Sequence, residues 1–221
     1  MKISNEILKQ LSNNPLFKNI PNDSLKELLP FLNPQITYYE KDQILFHEGD
    51  HIKNLGIVIK GSLHIETIDY FGNINIKAQI GPGEIFGETF ACLNQIKANC
   101  QVKAQLNSQI IYLDLSKFLK NENENYYSLL FINNLVTLLA KKNYMLTQKI
   151  DIMNKRTTRD KLLEFLFQQE KEQGSSTFTI PFNRQQLADY LAVDRSGLSS
   201  EISKLIKEGI ITADKQIFHL L

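Results

Sequence analysis

Cysteine is scarce in this sequence, and the spacing of the two that occur excludes several kinds of site. The 221 residues contain only Cys92 and Cys100, which do not form a CxxC pair. Two thiolates cannot by themselves hold a four-cysteine metal or iron–sulfur centre. We therefore interpret both as ordinary buried thiols, and a redox-responsive pair is the alternative.

Long apolar runs are absent as well. No run reaches the roughly 18 residues that would predict a transmembrane helix, and the first residues, Met-Lys-Ile-Ser-Asn-Glu-Ile, do not have the pattern of a signal peptide. We expect a cytoplasmic protein with no membrane partner. The apolar fraction of 43% is typical of a globular chain, and 221 residues allow two modest domains with separate cores.

The chain also lacks an excess of either charge. Its formal net charge is +1, and from Lys155 onward ten Lys and Arg residues stand against nine Asp and Glu residues. Strong non-specific binding to nucleic acid is therefore not expected, because it depends on an excess of positive charge. Basic residues do cluster locally, first as Lys155, Arg156, Arg159 and Lys161 and then as Arg184, Arg195, Lys204 and Lys207.

Glycine is concentrated in one part of the sequence, where seven of the ten fall within residues 49–87. Short segments of alternating pattern lie around these glycines, at residues 44–47, 55–59, 62–66 and 74–77, and two more follow at 101–106 and 109–113. Many short strands separated by glycine turns indicate a β-barrel or jelly roll. Two short helices, at residues 5–11 and 23–32, are predicted to precede it.

Residues 122–155 contain neither proline nor glycine and predict a long helix. Eight positions repeat with the spacing 3, 4, 3, 4, 3, 4, 3 and form a heptad seam: Leu129, Ile132, Val136, Leu139, Asn143, Leu146, Ile150 and Met153. A seam with one asparagine at an a position is typical of a parallel dimer in fixed register. We predict dimerisation through this seam, and the alternative is that the stripe packs on the chain's own β-domain.

Residues 183–211 predict a helix-turn-helix. Asn183 is a good N-cap for a first helix, and Asp194 can cap a second helix that ends at Gly209. A tight turn at Ala192-Val193 separates them. The residues predicted to be buried are Leu187, Ala188 and Leu191 in the first helix and Leu198, Ile202, Leu205 and Ile206 in the second. Such an arrangement places a second helix in the major groove of DNA, and an ordinary αα-hairpin is the alternative.

The outward face of the second helix favours DNA binding. It exposes Arg195, Ser196, Ser199 and Ser200, and then Ser203 and Lys204 one turn later. The N-terminal residues of such a helix read base edges, and arginine is the usual partner of guanine. Serine and glycine are poor helix formers, so a merely solvated face does not explain them. After Gly209, strands at 210–211 and 217–220 with a polar turn between them predict a wing, and residues 177–180 can pair with it.

A glycine-punctuated β-roll, a long helix and a C-terminal winged helix, in this order, resemble the family of the cyclic-AMP receptor protein and the fumarate–nitrate regulator (CRP/FNR). The likeness covers nearly the whole chain. The segments in which it is most specific are residues 14–17 (NPLF), 39–50 (YEKDQILFHEGD), 58–63 (VIKGSL) and 81–88 (GPGEIFGE). The resemblance implies a dimeric transcription regulator in which an effector bound in the roll reorients the DNA domains. Palindromic double-stranded DNA is the implied partner, with RNA polymerase as a further candidate.

The fold that these patterns and the resemblance imply is α+β, in three regions. An N-terminal β-roll (a jelly roll like the cyclic-nucleotide-binding domain) is expected to sense the effector and to span residues 1–120. A long dimerisation helix is expected at 121–155, and a winged helix-turn-helix that binds DNA at 156–221.

The resemblance also carries expectations about the effector. In cyclic-nucleotide binders of the family, the glutamate at the position of Glu88 holds the ribose hydroxyl, and backbone amides near Gly87 approach the phosphate. The family's phosphate-binding arginine and the small hydroxyl residue after it correspond here to Ala98 and Asn99. Lys97 is adjacent to Ala98 in the sequence, but successive side chains of a strand point to opposite faces, so Lys97 should point away from the side that Ala98 faces. Because the cation for the phosphate is missing, we predict that cyclic AMP is not the effector.

We expect a different small molecule in the same cavity. The predicted walls are Gly87, Glu88, Thr89, Ala98, Asn99 and Cys100, closed by Asn143 and Tyr144 from the long helix. Two alternatives stay open: Glu88 can instead cap backbone amides, and Tyr144 can be ordinary packing. No metal or cofactor is predicted, because the iron–sulfur branch of the family needs four cysteines and the histidines (His47, His51, His64 and His219) are scattered.

The DNA face departs from the family's pattern. Many members have a glutamate one place after the position of Arg195 and an arginine at that of Ser200, whereas this chain has serine at both places. We therefore expect an operator different from the family's best-known one. Arg184 matches a backbone-phosphate contact and completes the predicted DNA-binding set of Arg184, Arg195, Ser196, Ser199, Ser200 and Lys204.

An enzyme built on the β-roll, as in the metal-binding cupins, is the rival class. It needs a convergent set of histidine and glutamate ligands. His47, Glu48 and His51 are the only hint of one, and they lack the His-x-His spacing of the cupins. The prediction is a regulator and not an enzyme.

Overall fold

The structure is a computed structural model that describes residues 5–71, 74–93, 96–116 and 126–221. The chain forms two compact units, Met1–Leu138 and Leu139–Leu221, and each is described by itself. The division falls within a helix at Tyr126–Met153, which we call the central helix. The predicted start of this helix at residue 122 lies outside the described residues. No helix in the described ranges is long and apolar enough to cross a membrane.

The first unit opens with two helices, Asn5–Ser12 and Asn22–Leu32, and a 3-10 turn at Pro15–Phe17 between them. Asn14 caps this turn, because its side-chain oxygen accepts the Leu16 N–H at 2.9 Å while its Nδ2 donates to the Gly83 carbonyl at 2.8 Å. Asn14 is thus buried with both polar groups of its side chain satisfied. These bonds give a physical reason for the NPLF pattern.

The strands of this unit build the predicted β-roll. They are β1 (Gln35–Tyr39), β2 (Ile44–Phe46), β3 (Asn54–Lys60), β4 (Leu63–Ile68), β5 (Ile74–Ile80), β6 (Ile85–Phe86), β7 (Gln101–Ala104) and β8 (Ser108–Asp114), with a short helix at Glu88–Leu93. Two antiparallel four-stranded sheets result, ordered β1-β8-β3-β6 and β2-β7-β4-β5. Side chains of both sheets meet in one core, among them Val58, Leu63, Val102 and Ile110. The α+β prediction with an N-terminal β-roll is confirmed.

Two turn glycines of the roll offer a matched test of its stability. Gly61 and Gly49 have φ of +96° and +92°, a region where an alanine costs about 1–2 kcal/mol. A Cβ at Gly61 would lie 2.6 Å from the Asn107 carbonyl oxygen, whereas nothing lies within 4 Å of one at Gly49. We therefore expect Gly61→Ala to lower the free energy of unfolding by roughly 1–3 kcal/mol more than Gly49→Ala, measured by urea denaturation. Equal losses in the two variants would contradict the close approach at Gly61.

The second unit contains three helices after the central helix and a three-stranded sheet. The helices span Thr158–Gln173 (the support helix), Arg184–Leu191 (the first HTH helix) and Arg195–Lys207 (the recognition helix). The strands are β9 (Thr177–Thr179), β10 (Ile211–Asp214) and β11 (Ile217–Leu220), in the order β10-β11-β9. Because β10 and β11 are joined by a tight turn at Lys215-Gln216, they form the predicted wing, and β9 pairs with β11 as expected.

The central helix has different exposure on its two sides. In the first unit, Phe131 and Leu135 are buried, and the Phe131 ring lies 5.5 Å from that of Phe17. Four members of the heptad seam remain more than half exposed: Leu129 (65%), Val136 (55%), Leu146 (61%) and Ile150 (57%). Asn143 is exposed as well. The side that packs on the N-terminal 3-10 turn is therefore not the seam at Leu129 and Val136. The exposure of these two residues contradicts, at these positions, the alternative that placed the stripe on the chain's own β-domain.

Candidate nucleic-acid interface and effector site

The helix-turn-helix is defined by its caps. Asn183 and Gln186 form a reciprocal capping box at the start of the first HTH helix, with bonds of 3.0 and 2.9 Å. Ala192 ends that helix in the left-handed conformation, and Val193 N–H returns to the Ala188 carbonyl at 3.0 Å. The Asp194 carboxylate then accepts the Gly197 N–H at 2.8 Å and starts the recognition helix. These three features confirm the predicted helix boundaries.

The core under these helices confirms the predicted apolar faces with one exception. Leu187, Ala188 and Leu191 pack with Leu198, Ile202 and Leu205 in the buried core of the unit. Ile206 was predicted to be buried, and this is wrong, because it is 41% exposed. It follows Leu205 by one residue, about 100° around the helix, so it turns away from the core.

Several of the clustered basic residues are engaged within the unit. Ion pairs join Lys155 to Glu164 at 2.9 Å, Arg159 to Glu208 and Lys204 to Glu201 at 2.6 Å. The Arg159 pair is bidentate, and its other nitrogen donates to Glu208 Oε1 at 3.0 Å. Lys161 Nζ donates to the Leu191 carbonyl at 3.2 Å and so stabilises the end of the first HTH helix. The sequence identified these residues as basic, but not the acids and carbonyls they bind.

The predicted base-reading residues share the exposed side of the recognition helix. Arg195, Ser196, Ser199, Ser200 and Lys204 are all exposed. Within the described residues, neither the Arg195 guanidinium nor the Ser200 hydroxyl has a hydrogen-bond or ion-pair partner. Ser196 donates to the Asp194 carboxylate, and Ser199 donates to the Arg195 carbonyl at 3.0 Å. Arg195 is the first residue of the helix, and its side chain has no partner within the described residues. The N–H donors of its guanidinium group are therefore available to a ligand.

Asp194 brings a negative charge to the start of the recognition helix. Hydrogen bonds from the Ser196 hydroxyl and from the Gly197 N–H hold the pKa of Asp194 below its ordinary value. Asp194 is therefore ionised at neutral pH and interacts favourably with the positive end of the helix dipole.

The side chain of Arg184 is partly buried and contacts the wing, which its position in the sequence does not reveal. Its guanidinium carbon lies 5.0 Å from the centroid of the Phe218 ring, a cation–π contact with the wing. Partial burial lowers its pKa from the ordinary arginine value, which still leaves the group charged. The wing thus holds Arg184 in place. Its phosphate contact stays a prediction.

The predicted effector residues of the first unit divide into buried and exposed groups. Glu88, Ala98 and Cys100 are buried, and Gly87 is half-buried with φ of +73°. Thr89 and Asn99 are exposed. The backbone of Ala98 is bonded on both sides, because Gly49 N–H donates to its carbonyl at 2.7 Å and its own N–H donates to Asp50 at 2.8 Å. Asn143 and Tyr144 belong to the second unit and are exposed, so the complete pocket stays a prediction.

Acidic and basic side chains differ in their burial in the β-roll. Among the described residues of the first unit, the acidic side chains Glu66 and Glu88 are buried, and no lysine or arginine is buried. Gln101 Nε2 donates to Glu66 at 2.9 Å. Lys97, which precedes the buried Ala98, is exposed. The described part of the roll thus places no lysine or arginine in its buried interior.

The two cysteines have raised pKa values, and the described histidines are not part of a metal-binding cluster. Burial raises the pKa of the Cys92 thiol, and nearby Glu88 raises it further. Burial also raises the pKa of Cys100. Both thiols are therefore protonated at neutral pH, which disfavours oxidation. No group of three or more metal-binding side chains occurs in the described ranges, and the cupin candidates His47 and His51 are exposed.

Comparisons with known proteins agree with this geometry. Residues 36–123 match the model of the cyclic nucleotide-binding domain, and residues 160–221 match that of the Crp-like helix-turn-helix domain. A cyclic AMP receptor protein from Thermus thermophilus is 21% identical over 206 residues, which are 91% of this chain and 89% of that protein.

Solved structures show the same fold. The catabolite activator protein of Thermus thermophilus is 21% identical, with a TM-score of 0.55 and coverage of 94% of both chains. The c-di-GMP responsive global regulator CLP of Xanthomonas campestris is 17% identical, with a TM-score of 0.57 and coverage of 90% of this chain and 99% of that one.

A cyclic nucleotide-binding domain followed by a winged helix-turn-helix defines a class of DNA-binding regulators. The chain carries both of these domains and is homologous to the Thermus cyclic AMP receptor protein and to other CRP/FNR regulators. It is a CRP/FNR-like DNA-binding transcription regulator, and the family is one of transcription regulators, not of enzymes.

Proposed function

We propose that the chain acts as a parallel homodimer that binds a palindromic DNA operator. The observation that carries this proposal is the heptad seam of the central helix, where Leu129, Val136, Leu146 and Ile150 are more than half exposed. Fully burying one such side chain contributes about 1.5–3 kcal/mol, so a seam of this length supports a stable dimer. Asn143, exposed at an a position, can pair with its copy and set the register.

A parallel dimer presents two recognition helices to one side of a duplex. Half-sites about 34 Å apart then match successive turns of the major groove, and the operator should be a palindrome. Each Arg195 would donate to a guanine and each Arg184 would contact a phosphate. RNA polymerase remains a candidate partner that the family resemblance implies.

We further propose that the effector is a small molecule other than cyclic AMP, held in the β-roll. Glu88 and Ala98 are buried there without a buried lysine or arginine among the described residues of the unit. An anionic phosphate placed against these side chains would lose water without gaining a counter-charge, which is unfavourable. Gly87, Cys100, Thr89 and Asn99 are the proposed neighbours of this effector within the β-roll.

Selection of bound sequences from random duplex DNA tests the first proposal. We expect the full chain to enrich a two-fold symmetric sequence and light scattering to give the mass of a dimer. Enrichment of no sequence, or of a single half-site by a monomer, would overturn it.

Cyclic AMP is expected to change neither the melting temperature of the chain nor its affinity for the selected operator. Allosteric effectors typically change affinity by about 5- to 150-fold, so the two outcomes are well separated. Thermal shift with cyclic AMP, cyclic di-GMP and a metabolite library, followed by mobility shift with each hit, is the measurement. An increase of about 10-fold in operator affinity with cyclic AMP would contradict the argument from the missing cation.

A further inference from the structure

We propose that Ser199 and Ser203 give the recognition helix an edge that only accepts hydrogen bonds, so that it selects bases that present an amino group in the major groove. This inference rests on the proposed binding of DNA and specifies the chemistry that the helix reads. It concerns the base or bases beside the one contacted by Arg195.

The polarity of the edge follows from the hydrogen bonds that the serine hydroxyls make to the helix backbone. Ser199 Oγ donates to the Arg195 carbonyl at 3.0 Å, and Ser203 Oγ donates to the Ser199 carbonyl at 3.0 Å. A hydroxyl has one proton and two lone pairs, so each of these oxygens retains only acceptor capacity toward a ligand. Both side chains are exposed, and their lone pairs are therefore accessible.

Ser196 extends the same pattern at the start of the helix. Its hydroxyl donates to the Asp194 carboxylate, which is itself a pure acceptor. Ser200 differs, because its hydroxyl has no partner within the described residues and can donate or accept. The start of the helix thus offers a strong donor group, Arg195, beside a row of acceptors, while Lys204 further along the helix is paired with Glu201.

The major groove distinguishes these two kinds of group. Guanine and thymine present acceptors, whereas adenine N6 and cytosine N4 present donors. An acceptor-only oxygen therefore favours adenine or cytosine, because contact with guanine O6 or thymine O4 would require the serine to give up its bond to the helix. Losing that bond corresponds to roughly 2- to 10-fold in affinity.

The position of the selected base relative to the Arg195 contact follows from helix geometry. Arg195 and Ser199 are one turn apart, about 6 Å along the helix axis, which corresponds to one or two base pairs of DNA. The predicted half-site is a guanine, contacted by Arg195, with an adenine or cytosine within two base pairs.

The test compares sequences selected from random DNA by the wild-type chain, by Ser199→Ala and by the control Ser176→Ala, which changes an exposed serine outside the recognition helix. We expect the wild type and the control to enrich adenine or cytosine beside the guanine, and Ser199→Ala to lose this preference roughly 2- to 10-fold. If the selected base is adenine, it can be replaced by the unsubstituted base purine, which lacks the N6 amino group of adenine. This replacement should weaken binding by the wild type but leave binding by Ser199→Ala unaffected. If it is cytosine, its analogue without the amino group serves in the same way.

The outcomes separate this inference from the proposed function. If the wild type enriches no sequence, DNA recognition itself fails. If it enriches a palindrome with guanine or thymine at the position in question, or if removal of the amino group weakens both proteins equally, only the acceptor edge is overturned. A melting temperature of Ser199→Ala equal to that of the wild type verifies that the variant is folded.

Discussion

Replacing Arg195 by alanine is expected to weaken binding to the selected operator by about 10-fold or more for each half-site. Arg195 is the first residue of the recognition helix, it is exposed, and its guanidinium has no partner within the described residues. A bidentate contact from arginine to guanine provides about 1–3 kcal/mol of discrimination, and each 1.4 kcal/mol is tenfold. Mobility shift with the operator and with a scrambled duplex measures the loss.

Arg195→Lys is the matched control for this experiment. Lysine retains the positive charge but lacks the planar guanidinium group and its paired N–H donors. The variant should therefore retain non-specific binding and still lose most of the preference for the operator. If Arg195→Ala bound the operator as well as the wild type, the assignment of the recognition helix would be wrong. A loss for operator and scrambled DNA alike would instead assign Arg195 to the phosphate backbone.

The second large effect concerns the central helix. Leu146→Glu is expected to raise the dissociation constant of the dimer by roughly 100-fold or more, because two unpaired carboxylates would face each other across a buried seam. In the single chain Leu146 is 61% exposed, so the substitution should not disturb the fold of the protomer. Operator binding should fall with the loss of the dimer, since each monomer then contacts only one half-site.

Lys141→Glu is the matched control on the same helix. Lys141 is exposed and lies about 180° around the helix from the seam, and its replacement changes the charge by more than Leu146→Glu does. Sedimentation velocity should find a dimer for the wild type and for Lys141→Glu, and a monomer for Leu146→Glu. A dimer in all three samples would place the interface elsewhere.

The parts of the fold that were predicted correctly depend on local chemistry. Asn183 and Asp194 are caps whose partners lie three residues away, and Gly209 follows the recognition helix with φ of +70°. Such signals need no knowledge of the remaining chain. The wing and six strands of the roll were likewise visible as alternating segments between turns.

The errors and omissions arise where a residue's role depends on distant parts of the chain. β6 is two residues long and exists because it pairs with β3, and β1 is placed by its pairing with β8. The short helix after Gly87 was also missed. Ile206 was assigned to the core from its apolar character, but the direction of its side chain leaves it 41% exposed.

The candidate site shows the same division. Composition and spacing were sufficient to select Arg195 and the serines as the exposed face, because helical periodicity determines which residues share a side. Only the tertiary structure decided that Lys161 stabilises the end of the first HTH helix and that Arg159 is paired with Glu208, forty-nine residues away. It also decided that the Ser199 and Ser203 hydroxyls donate to carbonyl groups of the helix backbone. Periodicity is local and can be read along the chain, whereas ion pairs, burial and hydrogen-bond polarity depend on which atoms folding brings within about 3 Å of one another.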